Sequence, residues 1–159
     1  MLKVKPFKQK PSLCGPASLK MVLEYFGVHK SEKELGKLAG TTLAKGTSAE
    51  GLVKAARKLG FRAEKKDFAT LGDIRREVVQ KKTPVIVDWF SGDDGHYSVV
   101  MGIDKENIYL QDPELGHLRT LRLETFRRVW FDFSSAYPRS KNDLILRRMI
   151  VVSRNSRKE

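Results

Sequence analysis

With 159 residues, 40% hydrophobic and 31% charged, the chain is long enough for one domain with an ordinary core and too apolar for a disordered segment. One cysteine excludes an internal disulfide, one cysteine and three dispersed histidines give no zinc-ligand spacing, and no apolar run is long enough to cross a bilayer. The net charge of +12 is uneven: residues 1–66 hold 15 Lys/Arg against 5 Asp/Glu, residues 67–138 hold 9 against 12, and residues 139–159 hold 7 against 2.

The basic residues scatter over several predicted elements, with no recognition helix and no Gly/aromatic RNA-binding signature. They read as a solvated Lys-rich surface and argue against nucleic acid as a partner. The basic chain ends suggest an acidic substrate. MLKVKPFKQK at the start has no apolar h-region, and a lone thiol suits a reducing compartment, so a soluble, cytoplasmic protein is expected.

In chain order, CGPASLKMVLEYFG places Leu19, Val22, Leu23 and Phe26 at helical spacing, with Pro16 in the first turn and Gly27 as the stop. Ser31 and Glu34 form a capping-box pair for a second helix to about Ala39, closed by Gly40. Thr47 or Ser48 caps a third helix that buries Leu52, Val53, Ala56 and Leu59 and stops at Gly60. Phe61 to Lys65 alternates like a short strand, and Thr70 with Asp73 opens a fourth helix to about Lys82.

The second half changes period. Pro84 to Phe90 is an apolar, β-branched run that reads as a buried strand, followed by SGDDG as a flexible loop. His96–Ile103, Asn107–Gln111 and His117–Leu121 are three further strands with short, turn-like links, which implies antiparallel neighbours. Leu123 to Trp130 is a short helix, Ser134 to Asn142 a polar loop, and Leu144 to Val152 a last strand. The expected organisation is one α+β domain over residues 1–153, helices first and strands after, with a cleft between the two parts and a flexible basic tail over 154–159.

Cys14 stands at the predicted start of the first helix, where unpaired N–H groups and the helix dipole favour a thiolate. A nucleophilic thiol needs a base, and that base needs a third group to orient it. His96 sits at the mouth of a strand, and a 96–111 hairpin would return Asp112 to the sheet end that carries it. Each residue also has a plainer role: Cys14 as a small buried hydrophobe, His96 as a loop histidine, Asp112 as a turn former before Pro113, Gln9 as a solvated polar group. Asp93 and Asp94 could compete for His96, whereas His29 and His117 read as structural or surface residues.

The ordered set Gln9…Cys14-Gly-Pro-Ala-Ser-Leu…Tyr25-Phe-Gly27, Gly46-Thr-Ser48, Gly51-Leu52, Leu59-Gly60, Pro84-Val-Ile, His96-Tyr-Ser-Val-Val and Asp112-Pro113…Gly116 resembles cysteine peptidase family thirty-nine. These are papain-like leader peptidase domains found at the N-terminus of bacteriocin-exporting transporters. The resemblance covers about residues 5–135. It implies a papain-like α+β fold, a helical lobe packed on an antiparallel sheet lobe, with Cys14 as nucleophile, His96 as general base and Asp112 as the orienting group. It makes Gln9 an oxyanion-hole donor beside the Cys14 N–H, although Gln9 stands one position closer to the cysteine than in most relatives. No cofactor or metal is implied. The expected activity is stand-alone hydrolysis of a peptide bond in a peptide or protein substrate, with a separate transporter or adaptor left open. Acyl transfer by the same triad, as in phytochelatin synthases, and a non-catalytic peptide-binding module are the alternatives.

Overall fold

Capping chemistry sets the helices of the first third. The computed structural model describes residues 1–155, and its first three helices are α1 (Cys14–Tyr25), α2 (Glu32–Ala39) and α3 (Ala49–Lys58). Ser31 and Glu34 close the expected capping box on α2, and Gly40 ends it in the left-handed region at φ +72°. Ser48, not Thr47, caps α3 by accepting from the Gly51 N–H.

The rest of the chain builds one six-stranded, fully antiparallel sheet. Its strands are β1 (Phe61–Lys66), β2 (Val85–Ser91), β3 (Asp94–Ile103), β4 (Asn107–Asp112), β5 (His117–Arg122) and β8 (Arg148–Arg154), in the order β1-β8-β2-β3-β4-β5. β2 reads as a continuous apolar run because both of its faces are buried. Ile86, Tyr97, Val99, Ile150 and Val152 pack against α1–α3 on one face. Val85, Val87, Trp89, Val100, Leu110 and Met149 pack on the other against Ile74 and Val78 of the fourth helix and Phe126 of α5 (Leu123–Val129).

Four expectations are corrected. The fourth helix is a short α4 (Leu71–Arg75) running into a π-helical turn, Arg76–Gln80. SGDDG is not a flexible loop: Asp94 and Gly95 belong to β3, and the turn shrinks to Gly92 and Asp93, with Gly92 at φ +71°. The last strand breaks at Arg147, φ +49°, into β7 (Leu144–Leu146) and β8. β7 pairs with β6 (Phe131–Phe133), a three-residue strand too short to leave a periodic signal. Arg154, expected in a flexible tail over 154–159, ends β8, and the Asn155 side chain donates to the Gly60 carbonyl at 2.6 Å; the rest of that expected tail, residues 156–159, lies outside the described residues.

Helices α2 and α3 meet at Gly51, where a Cβ would collide with the Ala39 carbonyl oxygen. Helix propensity alone favours Gly51→Ala by about 1 kcal/mol. Overpacking against a backbone atom is expected to reverse the sign and cost on the order of 2 kcal/mol, read as a lower urea midpoint.

Candidate active site

The N-terminus of α1 is seated on the sheet by a close approach at Gly15. A Cβ there would lie 2.9 Å from Thr47 Cβ and 3.4 Å from the Tyr97 ring, and the Tyr97 hydroxyl donates to the Thr47 carbonyl at 3.0 Å. Cys14, the first residue of α1, is thereby held half-buried at the wall of a cleft of about 620 Å³. His96 lines the same cleft, as do Gly95 and Asp132 on the far wall.

The β3–β4 register pairs Val99 with Gln111 and Val100 with Leu110. Continued one residue, it sets Asp112 on the same face as His96 and one diagonal away, within side-chain reach. His96 Nε2 lies 2.6 Å from Asp112 Oδ1, with the imidazole 5% exposed and Asp112 fully buried. The ring keeps Nδ1 as its second nitrogen. Asp112 Oδ1 also accepts the Glu114 N–H at 2.9 Å.

Trp89, the cross-strand partner of His96, lays its ring edge-on at 5.8 Å and donates through Nε1 to Ser98 Oγ at 3.0 Å. Arg119 of β5 stands 3.2 Å from Asp112 Oδ2.

Burial by itself would push the His96 imidazolium down. Hydrogen bonding to Asp112 and to Cys14, with their negative charges, outweighs it and raises His96 to about 9. Burial would likewise push Asp112 up, but the His96 bond and charge, the Glu114 N–H and Arg119 together hold it below the ordinary carboxylate range. A second carboxyl, Asp88 on β2, is 3% exposed and raised well above the ordinary carboxylate range by burial and by neighbouring Asp132.

Of the residues singled out by sequence, Cys14, His96 and Asp112 are brought together. Gln9 is tied by its backbone N–H to the carbonyl of Pro113, the residue after Asp112, at 2.8 Å, while its side-chain Nε2 donates to the Lys10 carbonyl at 3.3 Å. Asp94 does not compete for His96, since its Oδ1 accepts the Gly95 N–H at 2.9 Å. His29 and His117 are exposed and lie apart from the cleft. The cleft wall carries Asp93, Asp94 and Asp132 against Lys45, so the basic chain ends do not make the cleft itself basic, contrary to the acidic-substrate expectation.

Trp89, Arg119, Asp88 and Asp132 were not found by sequence reasoning, because only strand register brings them to the site. His96, Asp112 and Glu114 offer ligand atoms within 4.8 Å of one another, but the His96 nitrogen involved is the one hydrogen-bonded to Asp112. The donor set is therefore read as a hydrogen-bonded cluster.

The sequence matches the model of the Peptidase C39 family over residues 6–135. The chain belongs to the peptidase C39 family. It is 38% identical to an uncharacterized protein of Methanothermobacter marburgensis over 117 residues, 74% of this chain and 75% of that one. It is 41% identical to the transport/processing ATP-binding protein ComA of Streptococcus pneumoniae over 120 residues, which is 74% of this chain but 16% of ComA.

The C39 fold is equally plain in three dimensions. The structure of the peptidase domain of Streptococcus ComA superposes with a TM-score of 0.73 at 26% identity, covering 98% of this chain and all of that domain. A C39-like peptidase from Bacillus anthracis shares the fold at a TM-score of 0.72 and 18% identity, covering 99% of this chain and 98% of that one. The chain is thus a cysteine-type peptidase of papain-like α+β fold, similar to peptidase domains that in ComA are part of a membrane transporter. Among the described residues, no helix is long and apolar enough to cross a membrane.

Linkage gives His96 a signature in stability. Its folded value, about 9, lies above the 6.5 of a free imidazole, so its contribution is complete below about pH 6.5 and is lost as pH rises through about 9. The wild-type protein is expected to lose more stability than His96→Gln across that window, on the order of 3 kcal/mol at most. Urea midpoints at a series of pH values measure the difference.

Proposed function

We propose that this chain is a cysteine peptidase that hydrolyses a peptide bond through Cys14, His96 and Asp112, in a reducing compartment such as the cytoplasm. The observation that carries the reading is the 2.6 Å His96–Asp112 contact in the cleft lined by Cys14. With Nε2 committed to Asp112, Nδ1 is the nitrogen left to take the Cys14 proton.

The thiolate attacks the carbonyl carbon of the scissile bond, and the imidazolium returns its proton to the leaving amine. Water, deprotonated by His96, then hydrolyses the acyl-enzyme. The developing oxyanion is assigned to the Cys14 backbone N–H and the Gln9 amide, which exchanges its bond to the Lys10 carbonyl for one to substrate.

A double-glycine motif protease from an AMS/PCAT transporter, solved in complex with its leader peptide, shares this fold at a TM-score of 0.71 and 23% identity. Double-glycine leader peptides are accordingly the first substrates to try. Gly95, whose Cβ would collide with the Asp132 carboxylate, keeps the wall beside His96 flat, which suits an extended chain with small side chains at the cut.

Cleavage of such peptides, followed by mass spectrometry, is expected to vanish in Cys14→Ala and His96→Ala and to fall by roughly 10²–10⁴ in Asp112→Asn. Gln9→Ala should lower kcat by about 10²–10³ with KM little changed. Undiminished cleavage by Cys14→Ala would remove the peptidase mechanism.

A further inference from the structure

The geometry points to Arg119 as a positioning residue. Its guanidinium is a strap laid from β5 to β2 across the His96–Asp112 pair, fixing the Asp112 carboxylate against the imidazole and closing that pair from solvent. The inference rests on the Cys14–His96–Asp112 reading above.

Four adjacent strands contribute to the arrangement. Arg119 pairs with Leu110 across β4–β5, which puts it on the face that carries Asp112, His96 and Trp89. From there its Nη1 donates to Ser91 Oγ of β2 at 3.0 Å, and its guanidinium carbon lies 5.4 Å from the Trp89 ring centroid. A charged side chain stacked on an indole and tied to a hydroxyl gives up much of its rotamer freedom, so its position is set before any substrate arrives.

The carboxylate needs such a neighbour. Asp112 Oδ1 already serves His96 and the Glu114 N–H, while Oδ2 is buried and accepts no aligned hydrogen bond. Arg119 Nη1, directed at Ser91 Oγ and 3.2 Å from Oδ2 without an aligned bond to it, acts on Asp112 as a charge. An uncompensated carboxylate buried to this degree is costly, and without a cation it would hold a proton or turn toward water. Either change deprives the imidazolium of its counter-ion and, through it, the Cys14 thiolate.

Other charges facing this cluster do not replace Arg119. Glu114 Oε2, 3.8 Å from His96 Nε2, is exposed and negative. Lys8 bonds the Glu114 carbonyl, and Asp88 and Asp132 on the cleft side bring no positive charge, burial and Asp132 pushing Asp88 toward its neutral form. Besides the His96 imidazole itself, Arg119 is the cation paired with Asp112 among the described residues.

Alkylation of Cys14 by iodoacetamide across pH, read by mass spectrometry, tests the strap without a known substrate. The wild-type protein is compared with Arg119→Gln, Arg119→Lys, Asp112→Asn and His96→Ala. In Arg119→Gln the acid limb of the rate profile is expected to move up by about one pH unit, slowing labelling near pH 6.5 about tenfold. Arg119→Lys, which restores charge without the planar fork, should recover most of that shift. A purely structural arginine would change melting temperature without moving the limb.

An Arg119→Gln profile that overlies wild type, while Asp112→Asn and His96→Ala are shifted, overturns the inference and leaves the triad intact. If none of the profiles moves, the triad itself fails. Should Arg119→Gln not fold, Ser91→Ala and Trp89→Phe loosen the strap from its far end. Each is expected to shift the limb in the same direction by a smaller amount, and no shift in either overturns the inference.

Discussion

The structure turns on one buried contact, the His96–Asp112 pair, and on the antiparallel register of β3 and β4 that creates it. A slip of one residue would send Asp112 to the opposite face of the sheet and leave a buried imidazole without an acceptor. Much else in the fold can be read as support for that register. β2 and β5 flank the hairpin and deliver Trp89 and Arg119 to the same face, and helices cover both sides of the sheet so that the pair lies in a low-dielectric interior. Low dielectric strengthens the pairing and raises the cost of breaking it.

Seating the nucleophile is a separate packing problem, solved on the other face. Gly15 allows the first turn of α1 to touch Thr47 and Tyr97, and the Tyr97–Thr47 hydrogen bond ties the loop before α3 to the sheet. Ser12, at φ +67°, makes the turn that leads into α1 and donates through its hydroxyl to the Leu43 carbonyl. A non-glycine residue held in that region two positions before the cysteine is local strain that the surrounding packing has to sustain. Cys14 and His96 therefore meet at the line where two independently packed faces of one sheet come together.

Charge is distributed by layer rather than along the chain. Among the described residues many of the basic side chains are exposed on the helices and along the N-terminal segment, whereas the cleft wall is acidic and the carboxyls nearest the site are managed individually. Asp112 is neutralised by His96 and Arg119; Asp67 is bridged by Arg148 through bonds of 2.7 and 3.1 Å; Asp88, next to Asp132, is driven toward its protonated form. Net charge describes the surface of this protein and says little about its cleft.

Local chemistry determined much of what the sequence conveyed. Caps at Ser31, Ser48 and Thr70 and stops at Gly27 and Gly40 are short-range signals, and they set where those helices begin, and where the first two end, within a residue or two. The family motifs and the hairpin spacing also brought Cys14, His96 and Asp112 into view before any coordinates. The tertiary structure decided what depends on strands distant in sequence: the place of β8 between β1 and β2, the pairing of β6 with β7, and the convergence of Trp89, Arg119, Asp88 and Asp132 on the site. Those residues carry no periodic or motif signal. Their roles arise from sheet order and side-chain reach across neighbouring strands, which are properties of the packed fold and not of any local stretch of chain.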